Sequence, residues 1–523
     1  WLKFIAQAST RDLGMSASAS RVASRGLNAA RLAAARGASP AEAAAVAKSV
    51  QPRHLFLDTS VGLEHVLQRE IEELGIVGAT TTYQGGVALE GPEESLWRAA
   101  LQSRVIDRVR LRLGRTFYAP YESTFHNHLN GIDWSDYLWF DTNPVTPQVK
   151  VNVEKSRLYH TKMIEKKVAD VIETQRQDFM KRKLQRVDDT SFYGSSETER
   201  PPAPTIHVDI QQDTCNLSIA ATDNPHWRTY VYAASEEHGA EAHEDGLPLG
   251  TAHAAACVLR SPLLQHLDTA LETGQRLLVW DPFCGTGTLL LEALGICLGV
   301  PPASPAVNLP FSSFPDFDEE KYSRFIRSLQ LSPHGALPHL ALLGSDSALH
   351  RVGTADANLK MFLKTLPRPR HGPLTSLWKG SSSGHDTYDV HGWQLPCQVQ
   401  FRTARQPGAL LPELRNAPRQ LILTSVPYGR KAECKDASKL YEQFGRMVRK
   451  HADSGSLLGV YCLSGREDFK RQSGLDWRTE LRFSNGGIAV DLLRWTGRII
   501  DAPRTFRRKP RPASRAAGVT RES

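Results

Sequence analysis

The 523-residue chain lacks several features that would place it at once. It has no uninterrupted run of about 18 apolar residues, so it offers no transmembrane-helix candidate and no membrane partner is expected. Its seven cysteines, at 215, 257, 284, 297, 397, 434 and 462, are odd in number and scattered, with no CxxC pair. Neither a zinc site nor a disulfide framework is expected, no metal ligands are assigned, and a reducing compartment follows. Acidic residues are scarce at both ends. Residues 1–53 hold eight Lys/Arg against two acids, and residues 498–523 hold eight against two again. Of the net +8, the residues between therefore carry about −4. Attraction to nucleic acid must come from local patches or from the tails, not from the globular part as a whole. Two phosphate-binding signatures are missing as well. The glycine cluster at 284–287 has neither the third glycine of a dinucleotide GxGxxG nor the Lys-Ser/Thr of a P-loop.

What the chain does have is the stretch from Leu277 to Ala293, LLVWDPFCGTGTLLLEA. An apolar run, Leu277 to Trp280, reaches Asp281. A turn follows, Pro282-Phe283-Cys284-Gly285-Thr286-Gly287, and then a good helix former from Thr288. Strand, glycine-rich turn and helix leave the backbone open to a ligand, because glycine has no Cβ and takes positive φ. A carboxylate at the strand end suits a zwitterionic nucleoside such as S-adenosylmethionine: Asp281 can meet the ammonium, and the glycines leave room for the sugar. The alternative is a tight strand-to-helix turn in some other α/β domain.

At roughly 100–200 residues each, two or three domains are expected. Residues 1–53 are Ala/Ser/Arg-rich with Arg11, Arg21, Arg25, Arg31 and Arg36 recurring, the composition of a mitochondrial transit peptide or, alternatively, of a disordered basic arm. Residues 54–117 read as β-α-β-β-α-β, a ferredoxin-like order, with Leu63, Val66, Leu67, Ile71 and Leu74 at helical spacing and Gly75 closing that helix. Residues 118–232 read as a second α+β unit. It has a strand at Gln148–Glu154, a basic helix within 156–175, a charged loop over 181–204, and a hairpin from Ile206 to Ala221. Lys155, Arg157, Lys162, Lys166 and Lys167 could meet phosphates, or form a solvated face. Residues 248–497 alternate strands and helices: strands end at Asp281, Asp346, Phe401, Ser425 and Leu463, and a last hairpin spans 482–495. That pattern predicts a doubly wound parallel sheet with its ligand at the carboxyl edge. Pro/Gly-rich insertions are expected near 300–316 and 366–397, and 498–523 is a basic tail.

The string DPFCGTGTLLLEA resembles motif I of the THUMP-containing RNA methyltransferases. GLEHVLQREIEELG, YQGGVALEG and LNGIDWSDYL resemble the N-terminal module of the bacterial 23S ribosomal RNA guanine-N2 methyltransferases. The resemblance covers about residues 54–497. It implies a class I, Rossmann-like methyltransferase sheet preceded by a ferredoxin-like domain (54–117) and a THUMP RNA-binding domain (118–232). It implies S-adenosylmethionine as cofactor, held by Asp281, Cys284, Gly285, Thr286, Gly287 and Asp346. Ribosomal RNA is the implied partner, and with the transit-peptide composition of residues 1–53 the expected setting is mitochondrial ribosome assembly in the matrix.

The implied acceptor loop is Ser425-Val426-Pro427-Tyr428-Gly429, where the family carries Asn/Asp-Pro-Pro-Tyr. Ser425, Pro427 and Tyr428 are the implied catalytic set: a side-chain acceptor and a backbone carbonyl hold the amine, and the ring stacks on a flipped base. Ser425 is shorter than the family residue, and Val426 replaces a proline. A second family acid is Ala348 here, the acid expected near the adenine amine falls near Arg405, and a Lys-Glu-Thr is Gly250-Thr251-Ala252. Two readings result: a guanine-N2 methyltransferase with a variant loop, or a catalytically degenerate methyltransferase-fold factor that binds ribosomal RNA during assembly.

Overall fold

The computed structural model describes residues 52–140, 147–186, 204–222, 249–303, 309–329, 332–366, 388–390, 393–414, 419–428 and 437–500. Nearly all of the basic N-terminal segment, the tail beyond 500, residues 187–203, most of the 366–397 stretch and Gly429 lie outside the described residues.

The N-terminal half begins β1 (Arg53–Asp58), α1 (Glu64–Glu73), β2 (Ala79–Tyr83), β3 (Gly86–Gly91), α2 (Glu93–Gln102) and β4 (Arg108–Arg112), the order read from the sequence. Alternation sets the faces: Leu55 and Leu57 on β1 and Val109 and Leu111 on β4 point under the helices and are buried. Gly75 takes the left-handed φ of 62° that ends α1. The chain continues through β5 (Phe117–Tyr118), α3 (Glu122–Asn130), β6 (Val149–Glu154), α4 (Thr161–Arg186), β7 (Ile206–Gln211) and β8 (Thr214–Ala220).

Two features depart from the sequence reading. The helix α4 runs on to Arg186, through the first residues of the expected charged loop. Residues 176–186 carry Lys, Arg and Gln with no glycine or proline, so high charge there marks a solvated helix rather than a loop. The two α+β units also share one eight-stranded sheet, in the order β2-β3-β1-β4-β8-β7-β6 with β5 beside β8. Their seam pairs Arg110 with Ala220, Leu111 with Ile219 and Arg112 with Ser218.

The C-terminal half comprises α5 (Thr251–Arg260), α6 (Leu263–Thr273), β9 (Leu277–Asp281), α7 (Thr288–Cys297), α8 (Glu319–Ser328), β10 (Leu340–Asp346), α9 (Leu349–Thr365), β11 (Tyr388–Val390), β12 (Trp393–Leu395), β13 (Gln398–Thr403), β14 (Arg419–Ser425), α10 (Ala437–Ala452), β15 (Leu457–Ser464), β16 (Leu475–Asn485) and β17 (Ile488–Ile499). Seven of these strands form a sheet in the order β13-β10-β9-β14-β15-β17-β16. It is parallel up to β15 and closes with an antiparallel hairpin. That hairpin turns at Gly486-Gly487, both at positive φ, which suits a tight two-residue turn. All five residues of β9 are buried, as a parallel strand covered on both faces requires. From β9 the chain goes to β10 and β13 on one side, then crosses to β14 on the other. The sheet therefore has its switch point between β9 and β14, and the carboxyl ends of these strands are where an open α/β sheet takes its ligand.

The stretch expected as an insertion near 300–316 is, where described, part of the join between the halves. Leu309, Phe311 and Phe314 are buried. The Phe311 N–H donates to the Ala221 carbonyl at 3.1 Å, and the Trp139 indole donates to the Ser313 carbonyl at 2.9 Å. On α8, Tyr322 meets the buried Trp97 edge-to-face at 5.3 Å. Such pairs contribute about 0.5–1.5 kcal/mol beyond the area they bury. Deeper in the join, Arg104, which follows α2, reaches Glu292 on α7 at 2.8 Å. No helix among the described residues is long and apolar enough to cross a membrane.

Candidate active site

At the switch point stands the turn between β9 and α7. Asp281 ends β9 and is 1% exposed. Its Oδ1 accepts from the Thr424 hydroxyl at 2.5 Å and from the Phe283 N–H at 3.1 Å. Burial pushes its carboxyl up to about 7, the two hydrogen bonds oppose the rise, and the nearby Asp346 charge adds to it. Thr424 is absent from the sequence reading. The signal for it is a lone hydroxyl in the apolar run Leu421-Ile422-Leu423-Thr424, on the strand paired with β9.

This carboxyl makes a pH prediction. Its folded value, about 7, lies above the ordinary 3.8. Between those values the folded chain holds a proton that the unfolded chain has released. The associated stability is complete below about pH 4, declines as pH rises through 7, and is gone above it. Urea unfolding from pH 5 to 9 should show this decline, and Asp281→Asn should remove it. A cationic ligand group at Asp281 needs the ionised form, so its affinity should move the opposite way, rising with pH and levelling off above about 7.

The turn itself is locked from below and open above. The Cys284 N–H donates to the Ser345 carbonyl at 3.0 Å, and the Gly287 N–H donates to the Cys284 carbonyl at 2.8 Å. The hydroxyls of Thr286 and Thr288 lie 3.1 Å apart. Gly285 and Gly287 both take left-handed φ, 51° and 81°. A Cβ on Gly287 would meet the Phe401 ring at 2.9 Å, whereas one on Gly285 would meet nothing within 4 Å. The Cys284 thiol is buried, and burial, with Asp281 and Asp346 nearby, drives it well above the range of a reactive cysteine. It packs; it is no nucleophile.

Asp346, at the end of β10, faces the same turn. Its Oδ2 accepts from the Gly285 N–H at 3.1 Å, and its Oδ1 accepts from the Ala348 N–H at 3.0 Å. The Arg351 guanidinium stands 4.0 Å from Oδ1. Arg405 is exposed. Its neighbour Ala404 donates from its N–H to the Asp346 carbonyl at 2.8 Å.

On the far side of the switch point lies the Ser425-Val426-Pro427-Tyr428 segment. Val426 is fully buried, and its N–H donates to Leu463 at 3.1 Å. The Pro427 carbonyl accepts from the Tyr441 hydroxyl at 2.7 Å. The Tyr428 hydroxyl accepts from the Asn485 side-chain amide at 3.0 Å. Burial raises this phenol, and hydrogen bonding with Asn485 and Ser425 opposes the rise. Its ring leaves no room for a side chain at Gly465, where a Cβ would meet Tyr428 at 2.8 Å. Tyr428 is thus fastened to β16. The fold brings the cofactor-side candidates together around one turn and sets the acceptor candidates one strand away. Asn485 and Asn358, which the sequence reading also missed, hold members of the two groups.

Residues 54–110 match the family described as the RlmL ferredoxin-like domain. The Synechocystis protein slr0064, named as an RNA methyltransferase, is 24% identical over 86% of this chain and 97% of its own length. The ribosomal RNA large subunit methyltransferase K/L of Syntrophotalea carbinolica is 23% identical over 85% of this chain, but the chain spans only 53% of that protein. Among solved structures, SMU.472 in complex with SAH superimposes with a TM-score of 0.57, 19% identity, and coverage of 86% of this chain and 100% of that one. A Listeria monocytogenes protein named as an N6-adenine-specific DNA methylase gives 0.58, 19%, 86% and 97%. The chain therefore has the class I methyltransferase fold, joined to an N-terminal domain of the RlmL ferredoxin-like kind, and it is similar over most of its length to proteins named as ribosomal and other RNA methyltransferases.

Proposed function

We propose that the chain binds S-adenosylmethionine on the Gly285–Gly287 turn and methylates ribosomal RNA at a guanine N2 in the mitochondrial matrix. One observation carries the cofactor reading. At Gly285 the backbone takes a left-handed conformation with open space where a Cβ would stand, beside a carboxylate, Asp346, oriented by two backbone N–H groups. That is a seat for a sugar and its hydroxyls, and the residues fit the group. S-adenosylmethionine, when bound, supplies an electrophilic methyl group, so no protein nucleophile is needed. Asp346 would accept from ribose hydroxyls, and Asp281 would answer the ammonium once ionised. The Ser425 hydroxyl would accept one hydrogen bond from the acceptor amine. On the RNA side, Lys155, Lys162 and Lys166 are exposed, near Tyr159, Tyr121 and Tyr118, which are 62%, 60% and 57% exposed. Cations beside exposed aromatic rings suit phosphates and unstacked bases, although the Tyr159 ring already lies against His160 at 4.1 Å. Lys167 is engaged with Glu122 at 2.6 Å. The matrix assignment rests on the composition of residues 1–53, and a THUMP role for 118–232 rests on the family resemblance.

A second reading has its own observation. With Val426 buried, the short Ser425 in place of an amide or carboxylate and Tyr428 tied to Asn485, the acceptor side is weaker than the cofactor side. This favours a ribosomal RNA-binding assembly factor that has lost methyl transfer. Loss of one well-placed acceptor costs on the order of 10²-fold in rate. Calorimetry with S-adenosylmethionine, followed by transfer of a labelled methyl group to mitochondrial ribosomal RNA, separates the readings. Binding with transfer is the expected result. Binding without transfer favours the second reading, and absence of binding overturns the first.

A further inference from the structure

Asn358 lies on α9, outside every motif described above, and is 2% exposed. Its side-chain amide donates to the Thr286 carbonyl at 3.0 Å, on the Thr286–Gly287 peptide of the glycine turn. This contact settles the orientation of the amide, because the reverse orientation would set two acceptors against each other. The Asn358 Oδ1 is consequently directed elsewhere, and it is buried without a hydrogen-bond partner. Native chains rarely keep such an atom, and each one asks for a reason. An apolar side chain of similar volume would avoid it. The reason is on the donor side. One turn earlier on the same helix, Ala355 lies 3.1 Å from where a Gly287 Cβ would stand, so α9 packs directly against the glycine turn. Packing alone sets the distance between helix and turn. The peptide plane that carries the Thr286 carbonyl also carries the Gly287 N–H, which donates to the Cys284 carbonyl at 2.8 Å, so the Asn358 donor and this bond hold its rotation from opposite edges, and with it the course of the turn that brings the Gly285 N–H to Asp346.

We infer that Asn358 is a positioning residue for the cofactor turn, holding the Thr286 peptide so that Gly285 and Asp346 present a preformed adenosyl seat. The inference rests on the cofactor reading given above. A preformed seat binds more tightly because the ligand need not order it. Asn358 acts through the turn and touches no reacting atom, so its removal should appear in cofactor affinity and leave the transfer step alone.

The test is Asn358→Leu in the full chain, with Asn358→Ala as a second variant should leucine crowd the site. Calorimetry with S-adenosylmethionine and S-adenosylhomocysteine, thermal melting and RNA binding are measured on each. The expected pattern is opposed: cofactor Kd rises by about tenfold or more, while the melting midpoint stays within about 2 °C of wild type or increases. RNA affinity stays unchanged, and any transfer activity recovers at saturating cofactor. A residue that merely supports the fold would lower the melting midpoint along with affinity, and that joint loss in both variants would overturn the inference. So would a cofactor Kd within about twofold of wild type. If the wild-type chain binds neither compound, the cofactor reading itself fails and this inference falls with it; binding by wild type and variants alike removes this inference only.

Discussion

Arg104→Ala should lower the stability of the chain by about 3–5 kcal/mol, the usual cost of breaking a buried ion pair by removing one partner. Arg104 and Glu292 are 7% and 0% exposed at their side chains and meet at 2.8 Å. The same guanidinium donates to the Val300 carbonyl just past α7 and fills the space over Gly295. Alanine withdraws the guanidinium from a buried carboxylate and opens a void as well. The loop that delivers Arg104 is itself held by a buried carboxylate: Glu70 on α1 accepts from the Arg104 N–H at 2.7 Å, from the Val105 N–H at 3.2 Å and from the Ser103 hydroxyl. Urea denaturation followed by intrinsic fluorescence gives the measurement. The double variant Arg104→Met, Glu292→Leu should recover most of the loss, since it leaves no buried charge to desolvate. A loss below about 1 kcal/mol in the single variant would mean that water reaches Glu292 and the join is looser than its geometry.

The second large effect separates the two glycines that flank Thr286 in the same turn. Gly285→Ala should cost the fold only about 1–2 kcal/mol, the strain of a Cβ in left-handed backbone, since the added atom meets nothing within 4 Å. Yet it should weaken S-adenosylmethionine by about a hundredfold, near 2.7 kcal/mol, because that open space is the proposed seat. Gly287→Ala carries the same strain and adds contacts with Phe401 at 2.9 Å and Ala355 at 3.1 Å. Its loss should therefore be mainly in stability, by about 1–3 kcal/mol more. Calorimetry and melting on both variants give four numbers. Equal cofactor affinity in Gly285→Ala and wild type would move the seat elsewhere.

These contrasts also show which parts of the molecule can be read from residue order. The strand, turn and helix from Leu277 onward are local: apolar run, glycines and helix formers lie within seventeen consecutive residues, and the fold follows them. The same holds for the β-α-β-β-α-β order and for the closing hairpin. The missed features join residues far apart in the chain. Arg104 and Glu292 are separated by 188 positions, Asn358 and Thr286 by 72, and β4 pairs with a strand that begins about a hundred residues later. Hydrophobic period says which face of a helix is buried but not against what. The stretch near 300–316 reads as an irregular insertion because its Phe311 packs on Phe317 and Tyr322 just beyond it, and Tyr322 in turn meets Trp97 of the N-terminal half. High charge misled in the other direction at the end of α4, where it marks solvation of a helix.

The seam at β4 and β8 has a mechanical consequence. Because the sheet runs unbroken through Arg110–Ala220, Leu111–Ile219 and Arg112–Ser218, no hinge can open between the two N-terminal units without tearing a hydrogen-bonded ladder. A torque applied to either unit is therefore carried to the other through the backbone, and the two turn together as one block.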